Sequence, residues 1–354
     1  MDVYQALASG TPFEATATGI LPRPEITDPV RGHPDAVAVV RTSGSTGTPK
    51  QTLLTSSALA ASAKATAEHI GGEGQWLLAV GTQYVAGLAV VSRSVQADTT
   101  PVVIDPSFSP EEFVAGTKRL DHGFTAVSMV PTQMLSLLDH PEAIAALQSY
   151  SAILVGGAAI PPRITEAAQQ YGLNLYKTYG MSETCGGCVY DGTPLPGVTL
   201  DTVEHHGVDR LRITGPMVAA GYFDDPELTA AHFSNGSYLT DDYGTVTDGT
   251  VQVFGRLDDV INTGGVKVSA AQVQNVLQDW MPAAFVTGLP DARWGQRVSA
   301  VITGDTSQEV LADAVRAALG APAVPKTWLR VESLPMLDNG KPDRLTLTEW
   351  LAKE

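Results

Sequence analysis

Among the residues that could do chemistry, the densest group is Thr42-Ser43-Gly44-Ser45-Thr46-Gly47-Thr48-Pro49-Lys50. Small residues let several backbone N–H groups approach one anion, because glycine has no Cβ and takes unusual dihedrals. Ser43, Ser45, Thr46 and Thr48 add hydroxyl donors, and Lys50 adds a mobile positive charge. The stretch therefore suits phosphate, with a plain Ser/Gly/Thr surface loop as the alternative. A Walker A loop requires G-x-x-x-x-G-K-[ST]. Counted from Gly44, its second glycine would fall on Pro49, and Lys50 is followed by Gln51. That spacing disfavours a P-loop kinase or ATPase.

Three further stretches place carboxylates or cations beside turn residues. Tyr176-Lys177-Thr178-Tyr179-Gly180-Met181-Ser182-Glu183 offers a ring for a nucleobase and a carboxylate for Mg²⁺, which takes a few hard oxygens plus substrate phosphates. By itself it reads equally as a strand end with a solvated glutamate. Tyr238-Leu239-Thr240-Asp241-Asp242 is an acidic turn or a site for vicinal hydroxyls, since a carboxylate accepts two hydrogen bonds at once. Lys341, in Pro335-Met336-Leu337-Asp338-Asn339-Gly340-Lys341, taken alone would be a solvated turn. The two cysteines, Cys185 and Cys188, are too few for a four-cysteine zinc site. They read as incidental small residues, with a redox or metal role as the minor alternative.

The elements that must position these groups alternate. Ala36–Val40 reads as a buried strand, and Leu53–Leu59 as a turn into a helix over Leu59–Ile70. Strands are predicted at 75–80, 100–104, 126–131 and 152–155. Helices are predicted at 87–95, 110–120 and 133–138, the last capped by Thr132. This spacing predicts a largely parallel α/β sheet. Residues 1–35 read as a partly ordered lead-in with one short helix. After about residue 190, short segments and dense turns predict antiparallel hairpins. Beyond about residue 258, helices at 270–280 and 309–319 alternate with strands at 284–287, 298–302 and 327–331.

The composition is that of a globular chain, with 44% hydrophobic and 17% charged residues. A net charge of −16 argues against nucleic acid or an anionic membrane as partner, so anionic ligands must be held by local cations. No apolar run is long enough to span a membrane and no secretory leader is evident, which points to the cytoplasm.

Taken together, the motifs resemble those of the adenylate-forming superfamily of acyl-CoA synthetases, adenylation domains and luciferases. T-S-G-S-T-G-x-P-K resembles its phosphate loop, and Gly156-Gly157-Ala158 its adenine-pocket segment. Tyr179-Gly180-Met181-Ser182-Glu183 resembles Y-G-x-T-E, with Ser182 in place of threonine. Tyr238–Asp242 resembles Y-x-T-G-D, with Asp241 in place of glycine. Gly255-Arg256-Leu257-Asp258 resembles the G-R-x-D hinge, and Pro335–Lys341 the P-x(4)-G-K signature. The matches run through nearly the whole chain. The N-terminus is shorter than in typical members by about a subdomain. The trimming and the run Met181–Gly192 look most like the short actinobacterial o-succinylbenzoate–CoA ligases of menaquinone biosynthesis.

The resemblance implies an α/β and α+β fold. A large N-terminal domain, 1–257, would carry a mostly parallel α/β sheet to about residue 190 and a small antiparallel β unit over about 191–257. A small mobile α+β C-terminal domain, 258–354, would carry the catalytic lysine. It also implies an enzyme, an AMP-forming acid–thiol ligase. MgATP and an acid would give an acyl-adenylate, and coenzyme A would then take the acyl group. Lys341, Glu183 and Lys50 would be catalytic, with Glu183 the Mg²⁺ ligand. Thr42, Ser43, Gly44, Ser45, Thr46, Gly47, Gly156, Gly157, Ala158, Tyr179, Gly180, Ser182, Asp242 and Arg256 would hold the nucleotide. Asp258 would be the hinge, and Gly264 and Gly265 the coenzyme A-side loop. Tyr84, Arg93 and Ser128 are the candidates for the acid. Those ligases commonly carry P-x-x-H-x-x-G, whereas Tyr84 stands at the histidine position here. That keeps an aromatic gate but not a titrating one. Loading of a carrier protein, another aromatic or short acid, a non-catalytic nucleotide-binding module, and a homodimer stay open.

Overall fold

Burial sets the strand order of the first half. In the computed structural model, which describes residues 2–42, 49–105, 107–205, 208–281, 283–336 and 342–354, two sheets divide the apolar segments of this half. The larger has seven strands in the order Thr193–Pro194, Gly186–Tyr190, Leu175–Met181, Ala152–Gly156, Thr125–Met129, Gln75–Leu78, Val102–Val103. Its last five strands are parallel, and Gly186–Tyr190 and Thr193–Pro194 add an antiparallel edge. Ala152–Gly156 is buried along its whole length, as a parallel strand covered by helices on both faces should be. The core against it includes Leu77, Val127, Met129, Ile153, Val155, Phe113 and Tyr150.

The second sheet corrects two expectations. Ala36–Thr42 does not belong to the parallel sheet. It lies in a five-stranded sheet ordered Gly221–Tyr222, Lys50–Thr55, Ala36–Thr42, Phe13–Thr16, Gly19–Pro22. Residues 53–55 are strand, not turn, and Lys50–Thr55 pairs antiparallel with Ala36–Thr42. The helix then starts directly at Ser56, with the Thr55 hydroxyl accepting from Ala58 N at 3.1 Å. The lead-in is also more ordered than its composition suggests. It forms the helix Val3–Ser9 and a hairpin, Phe13–Thr16 with Gly19–Pro22, whose Phe13 and Ala15 enter the core. The helix expected after Thr132 is instead Pro131–Leu137. Gln133 Oε1 accepts from Val130 N at 3.0 Å, and proline occupies the first turn, where its missing N–H costs nothing.

Compact grouping divides the chain into two units. The first comprises Met1–Asp201, Arg212–Thr240 and Val246–Val251, and the second Thr202–Leu211, Asp241–Thr245 and Gln252–Glu354. The division passes through a sheet ordered Thr199–His205, Val208–Thr214, Ser237–Thr247, Phe233–Ser234, with Thr250–Arg256 also pairing Ser237–Thr247. The second unit holds a sheet ordered Val266–Ser269, Val260–Thr263, Gly295–Ile302, Ala284–Asp291, with Thr327–Arg330 parallel to Gly295–Ile302. Helices Ala270–Gln278 and Gln308–Leu319 bury Val273, Leu277, Leu311 and Val315 in its core. The architecture is thus a mixed α/β fold with a large N-terminal part and a smaller α+β part. Among the described residues, no helix is long and apolar enough to cross a membrane.

Candidate active site

The phosphate-binding candidates begin and end on paired strands. Thr42 and Lys50 are cross-strand partners at one end of the pair Ala36–Thr42 and Lys50–Thr55. Ser43, Gly44, Ser45, Thr46 and Gly47, which lie between them, are outside the described residues, as is Thr48. Lys50 Nζ sits 5.4 Å from the centroid of the Tyr222 ring, within cation–π range.

Glu183 lies in the short 3-10 turn Ser182–Thr184, which directly follows the strand Leu175–Met181. It is 6% exposed, so a solvated glutamate is excluded. Its Oε1 accepts a 2.9 Å hydrogen bond from the Tyr222 hydroxyl. Burial, then the charge of Glu183, push the Tyr222 phenol far above its ordinary value, so it stays a donor. The Tyr222 hydroxyl is also 3.4 Å from that of Tyr238, and the ring of His232 stacks on Tyr238 at 5.8 Å. Lys50 and Glu183, which the sequence separates widely, therefore meet around one side chain. Tyr222 and His232 were not recognised from the sequence.

The fold around Glu183 depends on close backbone approach. A Cβ at Gly180 would stand 2.1 Å from Gly186 O, so the turn that carries Glu183 can close only over glycine. Tyr179 pairs with Val189 on the neighbouring strand. Gly156 ends the buried strand Ala152–Gly156 and pairs with Thr178, while Gly157 has φ +84° and Ala158 is exposed. These residues lie at the carboxyl ends of adjacent parallel strands, where ligands of open α/β sheets bind. Ser128 is one strand further on, paired with Leu78 and Leu154. Ser182 is buried.

Tyr84 and Arg93 are not brought together. Tyr84 is the N-cap of the helix Val85–Gln96, and Arg93 lies in its last turn. Nine residues of helix separate them by about 14 Å. Arg93 is 7% exposed, with its guanidinium 4.9 Å from the Trp76 ring centroid and Nη2 3.4 Å from the Tyr190 hydroxyl. Its Nε has no hydrogen-bond partner. The cavity it shares with Thr66, Glu73, Trp76 and Gln96 measures about 10 Å³, room for one water.

A second cluster lies in the second unit. Arg256 Nε is 3.0 Å from Asp258 Oδ1, and its terminal nitrogens are 3.8 Å from Asp241 Oδ2 and 3.9 Å from Asp242 Oδ1. Burial alone would lower the Arg256 pKa, but Asp258, Asp242 and Asp241 push it above the ordinary arginine value. Asp241, where the motif has glycine, does not need a positive φ, and Arg210 holds its carboxylate at 3.1 Å. The substitution therefore introduces no left-handed strain. Gly264 and Gly265 form the two-residue turn between Val260–Thr263 and Val266–Ser269, with φ +60° and +83°. A hairpin turn with both central φ positive favours glycine at both places. Lys341 is outside the described residues.

Cys185 and Cys188 are fully buried free thiols. Burial pushes both up, Cys188 to about 12, so neither provides a thiolate at neutral pH. Among the described residues, no group of three or more His, Cys, Asp or Glu could hold a metal ion by itself. Glu183 fits the other kind of site. It is a buried carboxylate whose hydrogen-bond donor is a neutral phenol, and Mg²⁺ is often held by one such carboxylate together with substrate phosphates.

A nucleotide-type α/β site with a separate C-terminal unit defines the class, and sequence comparison agrees. Residues 5–223 match the AMP-binding enzyme family, and residues 281–341 match the AMP-binding enzyme C-terminal domain. The chain belongs to the AMP-binding enzyme family. It is 40% identical over 333 residues to a probable 2-succinylbenzoate–CoA ligase of Mycobacterium tuberculosis, covering 90% of this chain and 86% of that one. Among solved structures it resembles the o-succinylbenzoate CoA synthetase of Bacillus subtilis in complex with its acyl-adenylate intermediate. That match has a TM-score of 0.77 and 27% identity, and covers 88% of this chain and 69% of that one. It also resembles an amide bond synthetase from Marinactinospora thermotolerans, with a TM-score of 0.79 and 28% identity over 90% of this chain and 71% of that one.

Proposed function

We propose that this protein ligates 2-succinylbenzoate to coenzyme A through an acyl-adenylate, releasing pyrophosphate and then AMP, as a step of menaquinone biosynthesis. The observation that carries the chemistry is the meeting of Lys50 and buried Glu183 around Tyr222. The choice of acid rests on the 40% identity to the mycobacterial ligase over most of both chains.

In the first half-reaction a carboxylate oxygen of the acid attacks the α-phosphorus of ATP and pyrophosphate leaves. Two anions must approach, so preplaced positive charge lowers the barrier. Thr42 to Lys50 hold the β- and γ-phosphates, and Lys341 bridges the attacking carboxylate and the α-phosphate. Gly156 to Ala158 and Tyr179-Gly180 take the adenine, Ser182 lies beside the phosphates, and Asp242 takes the ribose hydroxyls with Arg256. Mg²⁺ would bind through Glu183 and neutralise phosphate charge when present. In the second half-reaction residues 258–354 turn about Asp258, Lys341 withdraws, and Gly264-Gly265 come to the thiol side. The coenzyme A thiol then attacks the acyl carbonyl and AMP leaves. No enzyme nucleophile is needed, which suits the inert thiols of Cys185 and Cys188.

The acid lies between Tyr84 and Ser128, and Arg93, about 14 Å from Tyr84 along the helix, takes its unreacted carboxylate only if the intervening residues rearrange. Among the described residues Arg93 is a buried guanidinium without a carboxylate at ion-pair distance. A buried charge left without a counter-ion costs several kcal/mol by order of magnitude. The one-water cavity beside it means the pocket must open to admit a carboxylate.

Incubation with MgATP, coenzyme A and a panel of aromatic and aliphatic acids, read by thioester mass, tests the function. 2-Succinylbenzoyl-CoA should dominate. A product that forms only with an amine, the acceptor class raised by the amide bond synthetase likeness, or only with a carrier protein, would replace this reading. Arg93→Ala should raise KM for 2-succinylbenzoate more than for a monocarboxylate, and equal effects would remove Arg93 from the acid site.

A further inference from the structure

The segment Ala219–Phe223 joins the two parts of the phosphate site that come from distant points in the chain. At one end Ala219 N donates to Glu183 O at 2.9 Å. Along its length Ala220 N donates to Leu53 O at 3.0 Å and Phe223 N to Gln51 O at 2.8 Å. Tyr222 stands opposite Thr52, two residues from Lys50 on the same strand. The segment is thus bonded both to the turn that carries Glu183 and to the strand that carries Lys50.

Its side chain repeats the connection. Tyr222 is 4% exposed, its hydroxyl meets Glu183 Oε1 at 2.9 Å, and its ring lies under Lys50 Nζ at 5.4 Å. The ring is fixed from behind by Phe233, 5.3 Å away and edge-on at 79°. The backbone is fixed by the Thr229 hydroxyl, which accepts from Tyr222 N at 2.9 Å. A buried carboxylate bonded by a rigid donor has one oxygen committed, which orients the group for a cation.

We propose that Tyr222 is the positioning residue of the metal site: its hydroxyl holds Oε1 of Glu183 so that the carboxylate is oriented for Mg²⁺, while its ring keeps Lys50 beside the same phosphates. The proposal rests on the reading of Glu183 as the metal-binding carboxylate. In this role Tyr222 acts through Glu183 and Lys50, the two side chains it meets.

Tyr222→Phe deletes the hydroxyl and leaves the ring against Phe233 and Lys50. The test is ATP binding to the full chain by titration calorimetry, in EDTA and again in Mg²⁺, for the unaltered protein, Tyr222→Phe, Glu183→Gln and the double variant. The gain in ATP affinity on adding Mg²⁺ should fall about tenfold or more in Tyr222→Phe, the usual effect of losing an outer-shell partner. Affinity in EDTA should stay close to that of the unaltered protein, while the melting temperature of the free protein falls modestly because the buried Glu183 carboxylate loses its donor. The double variant should lose no more of the gain than Glu183→Gln alone, because the hydroxyl acts through that carboxylate. If Glu183→Gln loses the Mg²⁺ gain and Tyr222→Phe keeps it, the proposal is overturned and Glu183 stands. If Glu183→Gln also keeps the gain, the metal role of Glu183 falls and the proposal with it. If Tyr222→Phe weakens ATP equally with and without Mg²⁺, the tyrosine is only structural and the proposal is overturned.

Discussion

Glu14 shows how much a single side chain depends on its neighbours. Burial by itself would raise its pKa, but hydrogen bonds and charge from Arg41 and Arg23 outweigh it and hold the carboxyl below its usual 4.5. Both arginines bond it directly, one of the contacts being Arg41 Nη2 to Oε2 at 3.1 Å. Because the folded pKa is lowered, the stabilisation is complete above about pH 5 and disappears as pH falls through the folded value. Glu14→Gln should therefore cost about 2 kcal/mol at neutral pH, and urea unfolding at several pH values should show the difference closing in acid. Cys185 and Cys188 give the opposite case, with burial alone raising Cys185 and burial outweighing hydrogen bonds from Thr184 and the backbone at Cys188. A disulfide-exchange thiol reagent should titrate neither of the two in native protein and both after denaturation. Rapid native labelling of either one would contradict the packing around them.

At the scale of elements, the strut Ala219–Phe223 turns on Gly221. Its φ is +136°, and a Cβ there would lie 2.5 Å from Thr229 Cγ2. That backbone region is open essentially only to glycine, and forcing another residue into it costs about 1–3 kcal/mol. Gly221→Ala should lower the melting temperature and weaken MgATP binding together, since the strut carries Tyr222. Calorimetric melting and nucleotide titration on the same sample check both. The element pattern was legible where periodicity and burial agreed: the parallel strands of residues 75–156 lie close to where apolar runs predict them. It failed where partners are remote. The hairpin Phe13–Thr16 with Gly19–Pro22 is strand because Phe13–Thr16 pairs with Ala36–Thr42. Lys50–Thr55 is strand because it lies between Ala36–Thr42 and Gly221–Tyr222. Local propensity carries neither fact.

For the whole molecule, the proposed division of labour predicts a kinetic split. Lys341→Ala should abolish pyrophosphate release while leaving the melting temperature nearly unchanged, and substantial residual release would remove Lys341 from the adenylation step. Lys50→Ala should likewise impair adenylation, yet turn over preformed acyl-adenylate and coenzyme A at nearly the unaltered rate. Equal loss in both half-reactions would mean that Lys50 does more than hold the leaving pyrophosphate. The charge of −16 makes these local cations matter more, since the overall field repels ATP, coenzyme A and a dicarboxylic acid alike.

The sequence by itself determined the family, through short motifs in a fixed order whose residue types answer to phosphate, ribose and metal. It also determined the alternation of strands and helices, because periodic burial is written locally. Tertiary structure alone decided what surrounds each motif residue. Glu183 is buried and bonded to Tyr222, 39 positions away. Arg256 is ringed by Asp258, Asp241 and Asp242, and Arg93 lies at the far end of its helix from Tyr84. A side chain's partners come from segments that only folding brings within hydrogen-bond reach. That is why Glu183 could be singled out from the chain, while Tyr222, its hydrogen-bond partner, could not.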